Sequence, residues 1–435
     1  MDVSVVQLDG TRHKLRLQPG ALVSEVKRRL EAACRIPRET QRLLREGAVL
    51  EAGEALAPAE GVAELELQLV RVPAPVLCVL GGIAASASAE RFEPETGTWQ
   101  PLPSLRRARA QSTAVAHDGM LYVLGGTDGT RPLALVERLN VASGGAWEPM
   151  PPLQTARERC SATVLGGVLH AIGGADELQP LASVERLDAC AGGAWRAAWE
   201  EGPQLCVARR DCNVAELNGA IYAVAGAVGQ GARVTECLDG GADFWQRLAD
   251  MNEARTRCLL LAAAGRLFAV GGFDGYRCLA SVESFRPEEG KWERLADLRE
   301  ARLGAAAVAH GGAIYIAGGS TGYRCVDTAE RYDPALDSWE RLPSMTQARY
   351  GCTAATLGGH FYVLGGTEGG REASAVAERL DLEQQAAPLQ LGPAAGAAEE
   401  ADTASLGPEK AGGDLAWELL APLAEVKFAC SAVLV

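Results

Sequence analysis

The sequence predicts an all-β, seven-bladed propeller over most of its length, preceded by a small α+β domain. Three observations predict it: an apolar strand closing on a double glycine recurs through residues 76–366, a glutamate-bearing strand follows each copy, and a tryptophan opens another strand further on. Residues 1–70 carry none of these features.

Residues 1–72 are expected to form the first domain. MDVSVVQL and HKLRLQ alternate around the turn DGT as a β-hairpin does. VSEVKRRLEAACR places Val23, Val26 and Leu30 on one helical face, and Ile36-Pro37 ends that helix. QRLLREGAVL and ELELQLV supply further strands, so the order β-β-α-β-β suggests one sheet crossed by one helix. Residues 73–75 form a short linker stiffened by Pro73 and Pro75, and residues 76–435 form the propeller.

The double-glycine strand occurs as VLCVLGG, MLYVLGG, VLHAIGG, RLFAVGG, AIYIAGG and HFYVLGG, with a seventh copy, AIYAVAG, carrying Ala225 for the first glycine. Successive glycine pairs start 44, 48, 52, 46, 47 and 47 residues apart. A run such as GGFDGYRC (271–278) could cradle a phosphate, but its recurrence between strands makes the glycines turn residues. The following strands carry Glu90, Glu137, Glu185, Glu236, Glu283, Glu330 and Glu378. The next strands are opened by Trp99, Trp147, Trp195, Trp245, Trp292, Trp339 and Trp417. A small-residue strand, as in STAVAH, completes four strands per period. One such sheet cannot bury both faces alone, so the sheets must pack radially.

The first copy lacks its small-residue strand, and KFACSAVLV (427–435) resembles it. That segment is expected to become the innermost strand of the first blade and close the ring. An Ala/Gly/Glu/Pro-rich insertion at about 384–413 reads as a disordered loop of the last blade.

Composition limits the function. A formal net charge of −14 argues against nucleic-acid or anionic-membrane partners, which demand basic surfaces. The N-terminus lacks a signal-peptide pattern, no apolar run reaches 18 residues, and the 12 cysteines include no C-x-x-C pair. A cytoplasmic or nuclear location is the expectation.

The double glycine, the glutamate strand and the tryptophan at this spacing resemble Kelch repeats over residues 75–435. WD40 repeats have a similar period but call for Trp-Asp dipeptides, which the chain lacks. The first domain resembles a ubiquitin-like (β-grasp) domain in its opening hairpin, IPRETQRLL (36–44), EGAVLEAGEAL (46–56) and LELQLV (65–70). That resemblance implies a ubiquitin-receptor patch at Leu8, Leu44, Gln68 and Val70, with a receptor or proteasome component as partner. The alternative is that these are ordinary sheet residues. The terminal Gly-Gly of conjugating members is missing, because Arg71-Val-Pro-Ala-Pro75 leads straight into the propeller.

For the propeller the resemblance implies a protein client bound by arginines through an acidic peptide motif. The dipeptide Ala-Arg recurs in frame at Arg109, Arg157, Arg209, Arg255, Arg302 and Arg349, with Lys427 in the seventh place. These residues, with Tyr276, Tyr323 and Tyr350, are expected on one client-binding face, since a guanidinium pairs carboxylates bidentately and tyrosine anchors interfaces. Inter-blade hydrogen bonding is the competing role for the arginines. Glutamates recurring once per blade are scaffold, and the histidines make no convergent metal set, so neither a catalytic site, a metal nor a cofactor is expected. Cys160, Cys212, Cys258, Cys352 and Cys430 repeat in frame and read as small core residues rather than redox sensors. The sequence therefore favours a non-enzymatic adaptor or shuttle linking a client to the ubiquitin–proteasome system. The alternatives are a cytoskeletal or signalling scaffold with a purely structural first domain, and a Kelch-type metal enzyme.

Overall fold

A computed structural model describes residues 2–7, 11–18, 21, 23–34, 36, 40–45, 48–50, 56, 64–71, 74–82, 86–188, 198–226, 229–369, 373–382, 416–425, 427 and 431–435. The insertion at 384–413 and Cys430 lie outside these residues.

The N-terminal unit contains β1 (Asp2–Gln7), β2 (Arg12–Arg16), α1 (Val23–Cys34), β3 (Gln41–Arg45), β4 (Ala48–Val49) and β5 (Glu64–Arg71). They form a five-stranded sheet in the order β2-β1-β5-β3-β4, with β1 and β5 parallel. Strand alternation sends Val3, Val5, Leu43, Leu65, Leu67 and Leu69 inward, where they meet Val23, Val26 and Leu30 from the helix.

The rest of the described chain forms seven four-stranded antiparallel sheets. The second is typical: Thr113–His117 innermost, then Met120–Leu124, Val136–Asn140 and, outermost, Glu148–Pro149. The first combines both ends of the repeat, because Ser431–Leu434 pairs with Leu77–Leu80 as its innermost strand. Innermost strands adjoin in cyclic order, and Ser431–Leu434 meets both Thr113–His117 and Thr353–Leu357, which closes the ring. Apolar clusters lie between sheets rather than within them. Phe268 and Val270 of the fifth sheet, for example, pack with Ile314, Ile316, Tyr332 and Trp339 of the sixth.

The double glycines are required by close approach of the chain. At Gly271 (φ 60°) an added Cβ would lie 2.5 Å from the carbonyl oxygen of Arg302, and at Gly272 (φ 101°) 2.9 Å from the Cβ of Cys258. Ala225 takes the same left-handed conformation, φ 59°, and is fully buried.

The tryptophans tie outer strands together. The indole Nε1 of Trp147, Trp245, Trp339 and Trp417 donates to the carbonyls of Pro103, Pro203, Ala296 and Pro343 of the preceding sheet's edge, at 2.7–3.0 Å. In the third sheet Trp199 does this, to Pro151 at 3.0 Å, and is 1% exposed. Trp195, the residue read from the sequence, lies outside the described residues; the motif AWRAAW also contains Trp199, whose anchoring bond is the one described.

The joint between the seventh and first sheets is bonded differently from the others. Lys427 stands where six sheets have arginine, and its Nζ donates to Ser88 Oγ. Glu90 accepts the amide of Ala424 at 2.8 Å, but among the described residues its Oε1 has no hydrogen-bond partner, and neither has Trp99 Nε1. Lys427→Arg supplies the additional donors for that carboxylate. Urea unfolding should show a gain of about 1 kcal/mol; an unchanged or lowered midpoint would contradict this account of the seam.

Candidate protein-binding face

Six of the seven sheets are entered by a short lead-in segment containing the Ala-Arg dipeptide, and the first by one containing Lys427. These segments bridge the loops that follow the double glycines, as in Ala110–Thr127, Glu158–Ala175, Thr256–Phe273, Leu303–Ser320 and Tyr350–Thr367. Both sets of loops therefore share one face of the ring.

The six arginines do not present themselves on that face. Arg109, Arg157, Arg209, Arg255, Arg302 and Arg349 are at most 1% exposed. Each pairs with the glutamate of its own sheet, with Arg157–Glu185, Arg209–Glu236, Arg255–Glu283 and Arg302–Glu330 all at 2.6 Å. Arg109–Glu137 and Arg349–Glu378 make the same contact. The guanidinium also donates to carbonyls, for Arg255 those of Gly271 at 2.9 Å and Ser281 at 3.0 Å. The glutamates accept lead-in amides, as Glu283 does from Asn252 at 2.6 Å and Glu253 at 3.1 Å. The sequence expectation that these six arginines form the client-binding set is corrected here: a donor already committed to a buried carboxylate has little left to offer a ligand. Burial draws the Arg302 pKa below its ordinary value, opposed by the Glu330 and Glu300 charges.

What the lead-in does present lies two residues further on. Gln111, Arg159, Asp211 and Arg257 occupy this position in the second to fifth sheets, Gly304 and Gly351 in the next two, and all six have φ between 49° and 65°. Backbone bonds link several of them around the axis: Arg159 N to Gln111 O at 3.0 Å, Asp211 N to Arg159 O at 3.1 Å, Gly351 N to Gly304 O at 2.8 Å. Left-handed conformation costs a non-glycine residue about 1 kcal/mol, so four side chains are held at the axial mouth against a backbone penalty. Arg159 is braced by Gln111 Oε1 at 3.0 Å and Asp211 Oδ2 at 3.4 Å. Arg257 is exposed and makes no ion pair among the described residues. These residues rim a cavity of about 480 Å³ with Cys160, Cys212, Cys258 and Tyr350 in its wall.

Burial pushes the wall thiols Cys160 and Cys258 up to about 11 and raises Cys212, so all three stay protonated at neutral pH.

Around the rim, Tyr276 and Tyr323 are 95% and 100% exposed, and Tyr350 is half-buried beside the mouth. The tyrosine tips are held by tight turns: Asp274 Oδ1 accepts the amides of Tyr276 at 2.7 Å and Arg277 at 2.8 Å. Those amide bonds, that of Arg277 foremost, hold the Asp274 carboxyl below its ordinary pKa. Asp176 shapes the matching loop of the third sheet and displays Leu178, which is 90% exposed. Sequence reasoning missed Leu178, Arg159 and Arg257, although superposing the copies finds all three, as unlike residues at like positions.

In the N-terminal unit Leu44 pairs with Gln68 and Arg42 with Val70 across β3 and β5. Leu44 and Val70 are half-buried and Gln68 is exposed on the sheet's outer face. Leu8 lies outside the described residues.

Arg255→Ala leaves Glu283 buried without its cation, and the expected loss is about 3–5 kcal/mol. Chemical unfolding checks this, and a loss under about 0.5 kcal/mol would return the arginine to the surface role.

The Kelch motif matches residues 108–154, 254–299, 301–346 and 348–386. The solved structure of YjhT is similar to this chain at 12% identity and a TM-score of 0.51, covering 62% of this chain and 94% of that one. At that identity the likeness speaks for the fold alone. No helix among the described residues is long and apolar enough to cross a membrane. The chain thus carries Kelch motifs in those four stretches.

Proposed function

We propose that the chain is a non-enzymatic recognition protein whose axial mouth binds an acidic segment of a client protein. Kelch repeats generally mediate protein–protein interaction, which supports a protein partner. The observation that carries the finer reading is Arg257, an exposed cation without an ion-pair partner among the described residues, held in a strained conformation beside Arg159 at the mouth. Tyr276, Tyr323 and Leu178 stand around it as anchors able to bury apolar area against the client. The client's carboxylates would meet Arg257 and Arg159, and the six buried arginines would only hold the lead-ins in place.

The N-terminal unit, read as ubiquitin-like, would link the bound client to a ubiquitin receptor or proteasome component through Leu44, Gln68 and Val70. Its strand order and the outward position of these residues support that reading.

Arg257→Glu should lower the yield of affinity-purified clients at least tenfold while leaving the melting temperature within about 2 °C, since an exposed side chain contributes little to stability. Clients retained in full by the variant would refute the axial site. In a separate pulldown, Leu44→Ala should abolish capture of a ubiquitin receptor; undiminished capture would leave the domain a structural one.

A further inference from the structure

A second cavity, of about 340 Å³, lies between the third and fourth sheets, away from the axial mouth. Its origin is legible by comparing sheets. The middle residue of the second strand is Tyr122, Tyr222, Phe268, Tyr315 or Tyr362 in five of them, each at most 5% exposed. These rings fill the wedge between neighbours: Tyr222 lies 6.2 Å from Phe285 of the next sheet, Phe268 6.0 Å from Tyr332, and Tyr362 5.3 Å from Phe92. In the third sheet the residue is His170, and the facing residue of the fourth sheet is Leu238; both line the cavity. At those three joints two rings meet, and at two others a tyrosine meets a leucine; here histidine meets leucine, and the wedge stays open.

The polar row beside that ring is retained. In the second, sixth and seventh sheets a tyrosine, an arginine and a glutamate stand side by side across three strands: Tyr122-Arg138-Glu148, Tyr315-Arg331-Glu340 and Tyr362-Arg379-Glu418. The arginine–glutamate distance is 2.7 Å in all three. The Tyr315 hydroxyl interacts with Arg331 and that of Tyr362 with Arg379. The third sheet keeps Arg186 and Glu200 in the same row, but they stand 4.0 Å apart, with the imidazole in the tyrosine's place.

His170 is 6% exposed, and its Nδ1 lies 3.0 Å from the carbonyl oxygen of Val168. A carbonyl only accepts, so Nδ1 carries the proton. Burial holds the ring's pKa below its ordinary value, with Arg186 adding to the effect and the Val168 bond opposing it. Nε2 of the neutral ring is then a lone-pair acceptor, and it has no hydrogen-bond partner among the described residues. Leu165, Val168 and Leu238 supply apolar walls.

We infer that this cavity is a binding site for a phenolic ring. The ring would take the volume that tyrosine fills in the sister sheets, its hydroxyl donating to His170 Nε2 and accepting from Arg186. A ligand of this chemistry has two sources, a small phenol or the tyrosine side chain of a partner protein.

The test titrates the full chain with p-cresol, with toluene as the control lacking a hydroxyl, and follows the His170 ring nitrogens by NMR. Binding of p-cresol with a shifted Nε2 resonance, at least tenfold tighter than toluene, is expected. His170→Tyr fills the wedge as the sister sheets do, so it should fold normally and lose p-cresol binding. Arg186→Gln should weaken p-cresol tenfold and leave toluene unchanged. A blocked Gly-Gly-Tyr-Gly-Gly peptide separates the sources: binding as tight as p-cresol's indicates a partner's tyrosine, and p-cresol binding alone indicates a small phenol. Absence of p-cresol binding, equal affinity for toluene, or undiminished binding to His170→Tyr would each overturn the inference.

Discussion

The contact between a buried lead-in arginine and the glutamate of its sheet is the constraint on which the ring depends. One guanidinium satisfies a carboxylate and two carbonyls, and the carboxylate in turn takes lead-in amides. An irregular segment is thereby held against a sheet without a ladder of its own. The carbonyl of the same arginine accepts the amide of the second glycine in the preceding sheet, as Arg302 does from Gly272 at 2.9 Å. Cation, carboxylate and double glycine form one joint, repeated around the axis. A buried ion pair adds less net stability than its Coulomb energy suggests. Its effect here is positional: a guanidinium bonded to several partners at once admits few alternative placements of the strap.

That rigidity is what allows costly residues to be displayed. Two positions past each arginine the backbone turns left-handed, and glycine is the relaxed choice, as at Gly304 and Gly351. Gln111, Arg159, Asp211 and Arg257 sit there against the preference of the backbone because the strap is held at both ends. Repetition thus supplies a scaffold, and the unlike residues on it supply chemistry.

The same distinction accounts for what was legible in the sequence. Strand positions, the glycine turns and the Kelch resemblance were readable because each rests on a local pattern repeated many times. The role of the arginines was not, although a clue was present. Once the seven glutamates are assigned to the scaffold for recurring in frame, cations recurring in the same frame are their natural partners. Nor does spacing say how deep a residue sits; only the packed joint shows that Arg109 is inside and Arg159 is not. The exposed Tyr276 and Tyr323 could be found because glycine-flanked loop tips reach solvent by necessity. Trp199 was missed because two tryptophans four residues apart fit one motif equally well, and only its burial and its bond to Pro151 mark it as an anchor.

Departures from the repeat are not equivalent, and the first and third sheets show why. At the position filled by an aromatic ring elsewhere, the first sheet has Cys78 and the third His170. Cys78 is smaller than histidine, yet it is fully buried, its pKa pushed up to about 12 by desolvation. Leu121, Leu139, Val141 and Trp147 from the second sheet, with Val433 and Val435, close around it. Arg91 stands beside Cys78 but is already bonded to Gln100 at 2.9 Å, so the remaining apolar neighbours fill the vacancy, since empty volume forfeits dispersion contacts. Around His170 the neighbours include Arg186 and Glu200, whose charged ends stay with water. The wedge cannot close over them without desolvating charge, so it persists as a cavity with a polar floor. Volume lost from a repeat becomes a site only where the residues beside it are polar enough to resist collapse.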